Sequence, residues 1–288
     1  MKPRYSLFAF ALLCIAGSAC KNAAEIRACR DKPLGDMLFE FETNLEDWLA
    51  LGGSGEAFQA TDIQISDDTA FTGLQSVKFT VSPESYVNGG NRAELTFDQG
   101  IEAGDETHYA YSLFIPHDYQ DVASIEAADG APNWQVMGQW HDQPDVCIGE
   151  TWDDLAGNSP PIALYYLFLN KEDPAYRQLL ADPTIGDIFG VDTTWDQQSV
   201  LSLVYGNRTI AITPIEKGQW YRLNFDIKWS KGDDGFIEAT INNQALTDGR
   251  VMGPNMLNLA SHYFKFGLYR NPTIPYTNSL YYDEIAIY

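Results

Sequence analysis

Histidine is scarce in this chain, which contains only His108, His117, His141 and His262. His141 closes the run Asn133-Trp134-Gln135-Val136-Met137-Gly138-Gln139-Trp140-His141. Strand periodicity puts Gln135, Gln139 and His141 on one face of that run, and Trp134, Val136, Gly138 and Trp140 on the other. An imidazole titrates near neutrality, so a histidine beside an amide on a polar sheet face can carry a proton. Two further stretches share this build. In 91–97, Arg92, Glu94 and Thr96 oppose Ala93, Leu95 and Phe97; in 263–270, Tyr263, Lys265, Gly267 and Tyr269 oppose Phe264, Phe266 and Leu268.

Each piece alone has a plainer reading. Arg92 beside Glu94 is ordinarily a surface ion pair, and a single histidine is ordinarily structural. Together they place Arg, Gln, His, Lys and Tyr on one sheet face without a pair of catalytic carboxylates. That set suits proton abstraction beside an anionic group: Arg92 and Gln139 pair with a carboxylate, His141 takes a proton and a tyrosine gives one. Glycoside hydrolysis needs two carboxylates flanking the bond, and no strand carries them in a pattern such as E-x-D-x-x-E.

Strands must position these residues, and the chain supplies about a dozen. Alternating or apolar runs lie at 37–42, 63–65, 76–81, 92–97, 108–115, 134–141, 163–169, 200–204, 220–229, 236–241, 263–269 and 280–288. Turn formers such as Asn88-Gly89-Gly90 and Lys231-Gly232-Asp233-Asp234-Gly235 separate them. Strands in this number without βαβ alternation predict an all-β, two-sheet sandwich of jelly-roll type, filling one domain over 36–288. Residues 142–198 carry Pro144, Pro160, Pro161, Pro174 and Pro183. They read as a long loop insertion around the 163–169 strand, with a helix-like piece at 175–180 that shapes a cleft or packs as a flap.

Lys2 and Arg4 precede an apolar run from Leu7 to Ile15, followed by Ala16-Gly17-Ser18-Ala19 and Cys20. Residues 1–19 read as an export signal and 20–35 as a polar tether, so the protein is expected to be secreted, periplasmic or lipid-anchored at a bacterial cell envelope. Cys20 sits as in a lipobox, with Gly17 where leucine is usual; cleavage without an outer-membrane lipid anchor is the alternative. If Cys20 is acylated, Cys29 and Cys147 remain as a disulfide pair; if not, Cys20–Cys29 competes. The net charge of −22 repels nucleic acid and anionic membranes. A monomer is expected.

The blocks Asn91-Arg92-Ala93-Glu94-Leu95, Gln139-Trp140-His141 and Tyr263-Phe264-Lys265-Phe266-Gly267-Leu268-Tyr269 resemble the signature strands of jelly-roll polysaccharide lyases. Alginate lyases of that group carry R-x-E-x-L, Q-[IV]-H and Y-F-K-x-G-x-Y in this order. Trp140, the phrase Lys265 to Arg270 and the closing Leu280-Tyr281-Tyr282-Asp283-Glu284-Ile285 lean toward heparin lyase I and glucuronan lyase. The resemblance spans 36–288. It implies a concanavalin-like sandwich that cleaves a uronic-acid-containing polysaccharide, alginate or glucuronan-like, by β-elimination.

By the same resemblance, Arg92 and Gln139 neutralise the uronate carboxylate, with Asn91 as helper. His141 removes the C5 proton and Tyr269, or else Tyr263, protonates the leaving oxygen; in syn elimination one tyrosine can do both. Glu94, Lys265, Tyr263 and Arg270 are expected to bind substrate, an anionic polysaccharide. The chemistry requires no cofactor. Structural calcium is a separate expectation, with Glu40 or Glu42 meeting Asp283 at a sandwich edge; solvated carboxylates are the alternative. The rival functions are a non-catalytic carbohydrate-binding sandwich and a jelly-roll glycoside hydrolase. A secreted, strongly acidic protein suits a saline environment, which leans toward alginate or glucuronan, and only 18 basic residues argue against clustered sulfate recognition.

Overall fold

The computed structural model describes residues 37–50, 53–98, 100–122, 133–155, 160–170, 172, 197–206 and 208–288. The export signal, the tether with Cys20 and Cys29, and the helix-like piece at 175–180 lie outside the described residues. Cys147 is disulfide-bonded.

The strands in chain order are β1 (Met37–Phe39), β2 (Ser54–Ala57), β3 (Ile63–Ser66), β4 (Ser76–Val81), β5 (Tyr86–Val87), β6 (Gly90–Asp98), β7 (Glu106–Phe114), β8 (Gln135–His141) and β9 (Ile162–Asn170). They continue with β10 (Gln197–Tyr205), β11 (Arg208–Pro214), β12 (Trp220–Lys228), β13 (Phe236–Ile241), β14 (Gln244–Ala245), β15 (Val251–Met252), β16 (Tyr263–Arg270) and β17 (Asn278–Ile287). One short helix, α1, spans Glu46–Ala50.

Two antiparallel sheets result. The first has nine strands in the order β14-β13-β12-β7-β17-β4-β3, with β1 on β17 and β15 on β13. The second has eight, β11-β10-β9-β8-β16-β6-β2, with β5 on β6. Strands distant in sequence lie side by side, above all β16 between β8 and β6, so the expected jelly roll is the observed fold.

Alternation explains the layers. In β12, Tyr221, Leu223, Phe225 and Ile227 are buried and the residues between them are more open. In β16, Phe264, Phe266 and Leu268 enter the core. There Phe264 stacks on Trp140 at 5.0 Å, and Phe266 packs on Tyr282 of the facing sheet at 5.3 Å. The first strand is shorter than the alternation of 37–42 predicts. It ends at Phe39, because the chain turns at Phe41 (φ 55°) to bury that ring against Phe39 and Phe266. β2 and β11 were not expected from the sequence.

One side chain ties the sheets together. The Tyr282 hydroxyl on β17 crosses the sandwich and donates to the carbonyls of Met137 on β8 and Gly267 on β16, the latter at 3.1 Å. Both acceptors sit where the ladders are irregular. The β8–β9 register shifts between Val136 and Gly138, and the β16–β8 register shifts between Phe266 and Tyr269.

Candidate active site

Because β16 is flanked by β6 and β8, two ladders decide which side chains meet. Across β6, Tyr269 pairs with Arg92 and Lys265 with Thr96; across β8, Tyr263 pairs with His141 and Lys265 with Gln139. Directly opposed residues are side-chain neighbours, so the three sequence blocks converge on one face of the second sheet. They line a cleft of about 390 Å³ that includes Arg92, Gln139, His141, Tyr263, Lys265 and Tyr269.

Strict alternation misplaces one half of β8. The register shift at Met137 changes the phase of the strand, so Trp134 and Val136 join Gln139 and His141 on the cleft. Gln135, expected on the polar face, is buried and accepts a hydrogen bond from Tyr119 at 2.6 Å. Trp134 instead stands edge-on to Tyr269, with ring centroids 4.6 Å apart.

His141 is fixed on two sides. Its ring stacks on Tyr263 at 5.5 Å with an interplanar angle of 12°. Its Nδ1 lies 2.7 Å from the backbone carbonyl of Asp142, which can only accept, so Nδ1 carries the proton and Nε2 presents its lone pair. Burial lowers the imidazole pKa despite that carbonyl, which keeps the ring neutral.

The cations are held by a residue that sequence patterning missed. Glu56 on β2 accepts from Arg92 Nη1 at 2.7 Å, from Lys265 Nζ at 2.7 Å and from Asn88 Nδ2 at 3.1 Å. Burial works against its ionisation, but Lys265 and Arg92 outweigh it and bring the Glu56 pKa down to about 2. Ser54-Gly55-Glu56-Ala57 has no β-branched or aromatic residue, so nothing local marks it as a strand. Glu94 lies deeper: it accepts from Gln139 Nε2 at 2.6 Å and sits 3.4 Å from Arg92 Nη1. Burial pushes the Glu94 carboxyl up, opposed by Lys265 and Arg92. Lys265 has three N–H donors and Gln139 two, so each keeps a donor for substrate beyond these bonds.

The phenols are held in their protonated form. Burial raises Tyr269, opposed by Arg92, and burial raises Tyr263 as well. Tyr165 on β9 also lines the cleft and is likewise raised by burial. The continuous apolar run of β9 gave no sign of it, although Tyr165 is more open than the buried Leu164 and Tyr166 on either side.

Two expected substrate contacts are not brought to the cleft. Arg270 points into the core and donates to the carbonyls of Val81, at 3.0 Å, and Tyr276. Its even position puts it on the apolar side of β16, and burial lowers its pKa to about 10. Asn91 is buried and donates to the carbonyls of Ser82 and Pro83, both at 3.1 Å, shaping the turn before β6.

Two of the carboxylates expected to hold calcium, Asp283 and Glu42, meet one loop of the chain. Asp283 accepts from the backbone N–H groups of Phe71 and Thr72, and Glu42 from those of Leu74 and Gln75. Both carboxylates thus clamp the loop at 71–75 through its backbone donors. Glu40 is exposed, and among the described residues no group of three or more His, Cys, Asp or Glu side chains could hold a metal.

A family model described as "Polysaccharide lyase" matches residues 42–286. The chain belongs to the polysaccharide lyase family. None of the curated proteins matches this lyase. Among solved structures it is similar in fold to the alginate lyase Aly36B, at 13% identity and a TM-score of 0.52, covering 89% of this chain and 97% of that one. It is similar also to the catalytic domain of a glycoside hydrolase family 131 protein from Coprinopsis cinerea, at 14% identity and a TM-score of 0.54, covering 90% and 94%. An endo-β-1,4-glucuronan lyase from Trichoderma reesei matches at 16% identity and a TM-score of 0.49, covering 82% and 86%.

Proposed function

We propose that this lyase cleaves a uronic-acid-containing polysaccharide, of the alginate or glucuronan kind, by β-elimination. The observation that carries the reading is the orientation of His141. A neutral imidazole with Nδ1 donated to a carbonyl leaves Nε2 as a base, in a cleft that also holds Lys265, Arg92, Gln139 and Tyr269.

In the reaction, His141 Nε2 removes the proton from C5, next to the uronate carboxylate. The C5 electrons form the C4=C5 double bond, the C4–O4 bond breaks, and Tyr269 protonates O4. Lys265, Arg92 and Gln139 stabilise the charge that spreads onto the carboxylate as the proton leaves. Tyr269 suits the acid role better than Tyr263 because the carboxylate and O4 sit on adjacent carbons, and Tyr269 is the tyrosine against Arg92. Phenols held protonated by burial can donate but do not start as bases, which favours two residues over one tyrosine acting twice.

Hydrolysis fits less well. Glu56 and Glu94, the carboxylates bonded to the cleft's side chains, are committed to Arg92, Lys265 and Gln139, whereas hydrolysis needs a pair that can act on the bond. We further place this activity outside the cytoplasm, on the export signal at 1–19, with Cys20 as a lipid anchor. Incubation with a panel of uronans should give ultraviolet-absorbing unsaturated ends; absence of such product across the panel would refute the proposal.

A further inference from the structure

Arg270 is fully buried, and its charge has no counter-charge among the described residues. Its Nη2 donates to the carbonyls of Val81, at 3.0 Å, and Tyr276, whereas Nε and Nη1 have no hydrogen-bond partner. No carboxylate of the described residues forms an ion pair with it, and the titratable group that acts on it is the phenol of Tyr119. Burial holds that phenol protonated, so it brings no negative charge. Burial lowers the guanidinium pKa only to about 10, so Arg270 stays charged at neutral pH.

The β16–β8 ladder adds a second donor. Gln135 on β8 is directly opposed to Arg270, and its side chain is buried as well. The Tyr119 hydroxyl occupies Gln135 Oε1 at 2.6 Å, and Gln135 Nε2 is left buried with no partner. Unspent N–H groups thus come from two opposed side chains, one of them charged. Asn91 Oδ1, an unpartnered acceptor of the same row, belongs to β6 on the other side of Arg270. It would repel a second acceptor on its own side, which leaves the side of Gln135.

We propose that Arg270 and Gln135 hold a small monovalent anion of the chloride class in the core of the sandwich. The inference is independent of the reaction in the cleft. Donors without acceptors call for an acceptor, which a water could also supply, but a water would leave the buried charge uncompensated. One guanidinium balances one negative charge; a divalent anion would carry an excess of the opposite sign into the same interior. The position gives the ion a duty. Beyond the register shift between Phe266 and Tyr269, the β16–β8 pairing resumes with Tyr269 on Val136 and Arg270 on Gln135. An anion shared by Arg270 and Gln135 ties the two strands together there, directly behind the wall of the cleft.

The test follows thermal unfolding of the full chain, dialysed into sodium gluconate and then compared in sodium chloride, bromide and gluconate at one pH and ionic strength. Gluconate is too bulky for a core site. Chloride and bromide should raise the midpoint over gluconate by at least about 2 °C, and the rise should saturate with concentration. Arg270→Met and Gln135→Leu should each lose that difference; where Arg270→Met does not fold, Gln135→Leu carries the comparison. Equal midpoints in the three salts, or a difference that survives in Gln135→Leu, would overturn the site. Crystals of the wild type grown in sodium bromide read the occupant directly. An anomalous peak in contact with Arg270 and Gln135 supports the anion; a water there, or no peak, refutes it.

Discussion

The guanidinium of Arg92 lies 3.8 Å from the ring centroid of Tyr269. Partly buried cation–π contacts of this kind contribute about 0.5–2 kcal/mol, so the pair is held together before substrate enters. Tyr269→Phe keeps the ring under Arg92 and removes only the hydroxyl. It should lower kcat by about 10²–10⁴-fold with the thermal midpoint almost unchanged; a rate near wild type would remove Tyr269 from the acid role.

Burial depresses the His141 pKa, and the protonated ring is the inactive form of a base. The acidic limb of kcat/KM should therefore fall below the ordinary imidazole value of about 6.5. Rates on a soluble uronan from pH 4 to 8 locate the limb, and one at or above the ordinary value contradicts the assignment. His141→Ala should abolish the limb together with most of the turnover.

Glu56 carries a folded-state pKa near 2, below the ordinary glutamate value of about 4.3. A depressed carboxylate pKa adds stability that is fully present above the unfolded value and is lost as pH falls toward the folded one. Urea midpoints of wild type and Glu56→Gln should differ most above pH 4.3 and converge as pH approaches 2. A gap that does not change with pH would show that the Glu56 charge is not what matters.

Gly267 has φ 136°, and a Cβ placed there would lie 2.3 Å from the Ala93 carbonyl and 2.8 Å from the Glu94 Cα. Both obstacles are backbone, so a side chain can enter only by pushing β6 away from β16. Gly267→Ala should cost at least about 2 kcal/mol in denaturant unfolding and weaken catalysis, because Arg92 and Glu94 ride on the displaced strand.

Much of this was legible in the sequence. Period-two alternation in 91–97 and 263–269 placed Arg92, Glu94, Lys265 and Tyr269 together, because those strands pair in unbroken register. The same rule failed for Trp134 and Val136, since a bulge changes the phase of a strand without a marker in composition. Glu56 was invisible for another reason: a four-residue edge strand gains its structure from β6, its partner, and carries no propensity of its own. Arg270 misled because adjacency to a reactive strand end was weighed above parity.

The phase change at Met137 divides β8 into two halves with different duties. Downstream of it, Gln139 and His141 answer to β16 and to the chemistry. Upstream, Trp134 and Val136 form a wall whose orientation depends on one inserted residue. That wall also touches the proton donor, because Trp134 stands edge-on to Tyr269 and Val136 pairs with it. A change of chain length in this half of β8 would thus reach the proton donor through its wall, while the base keeps its place opposite Tyr263.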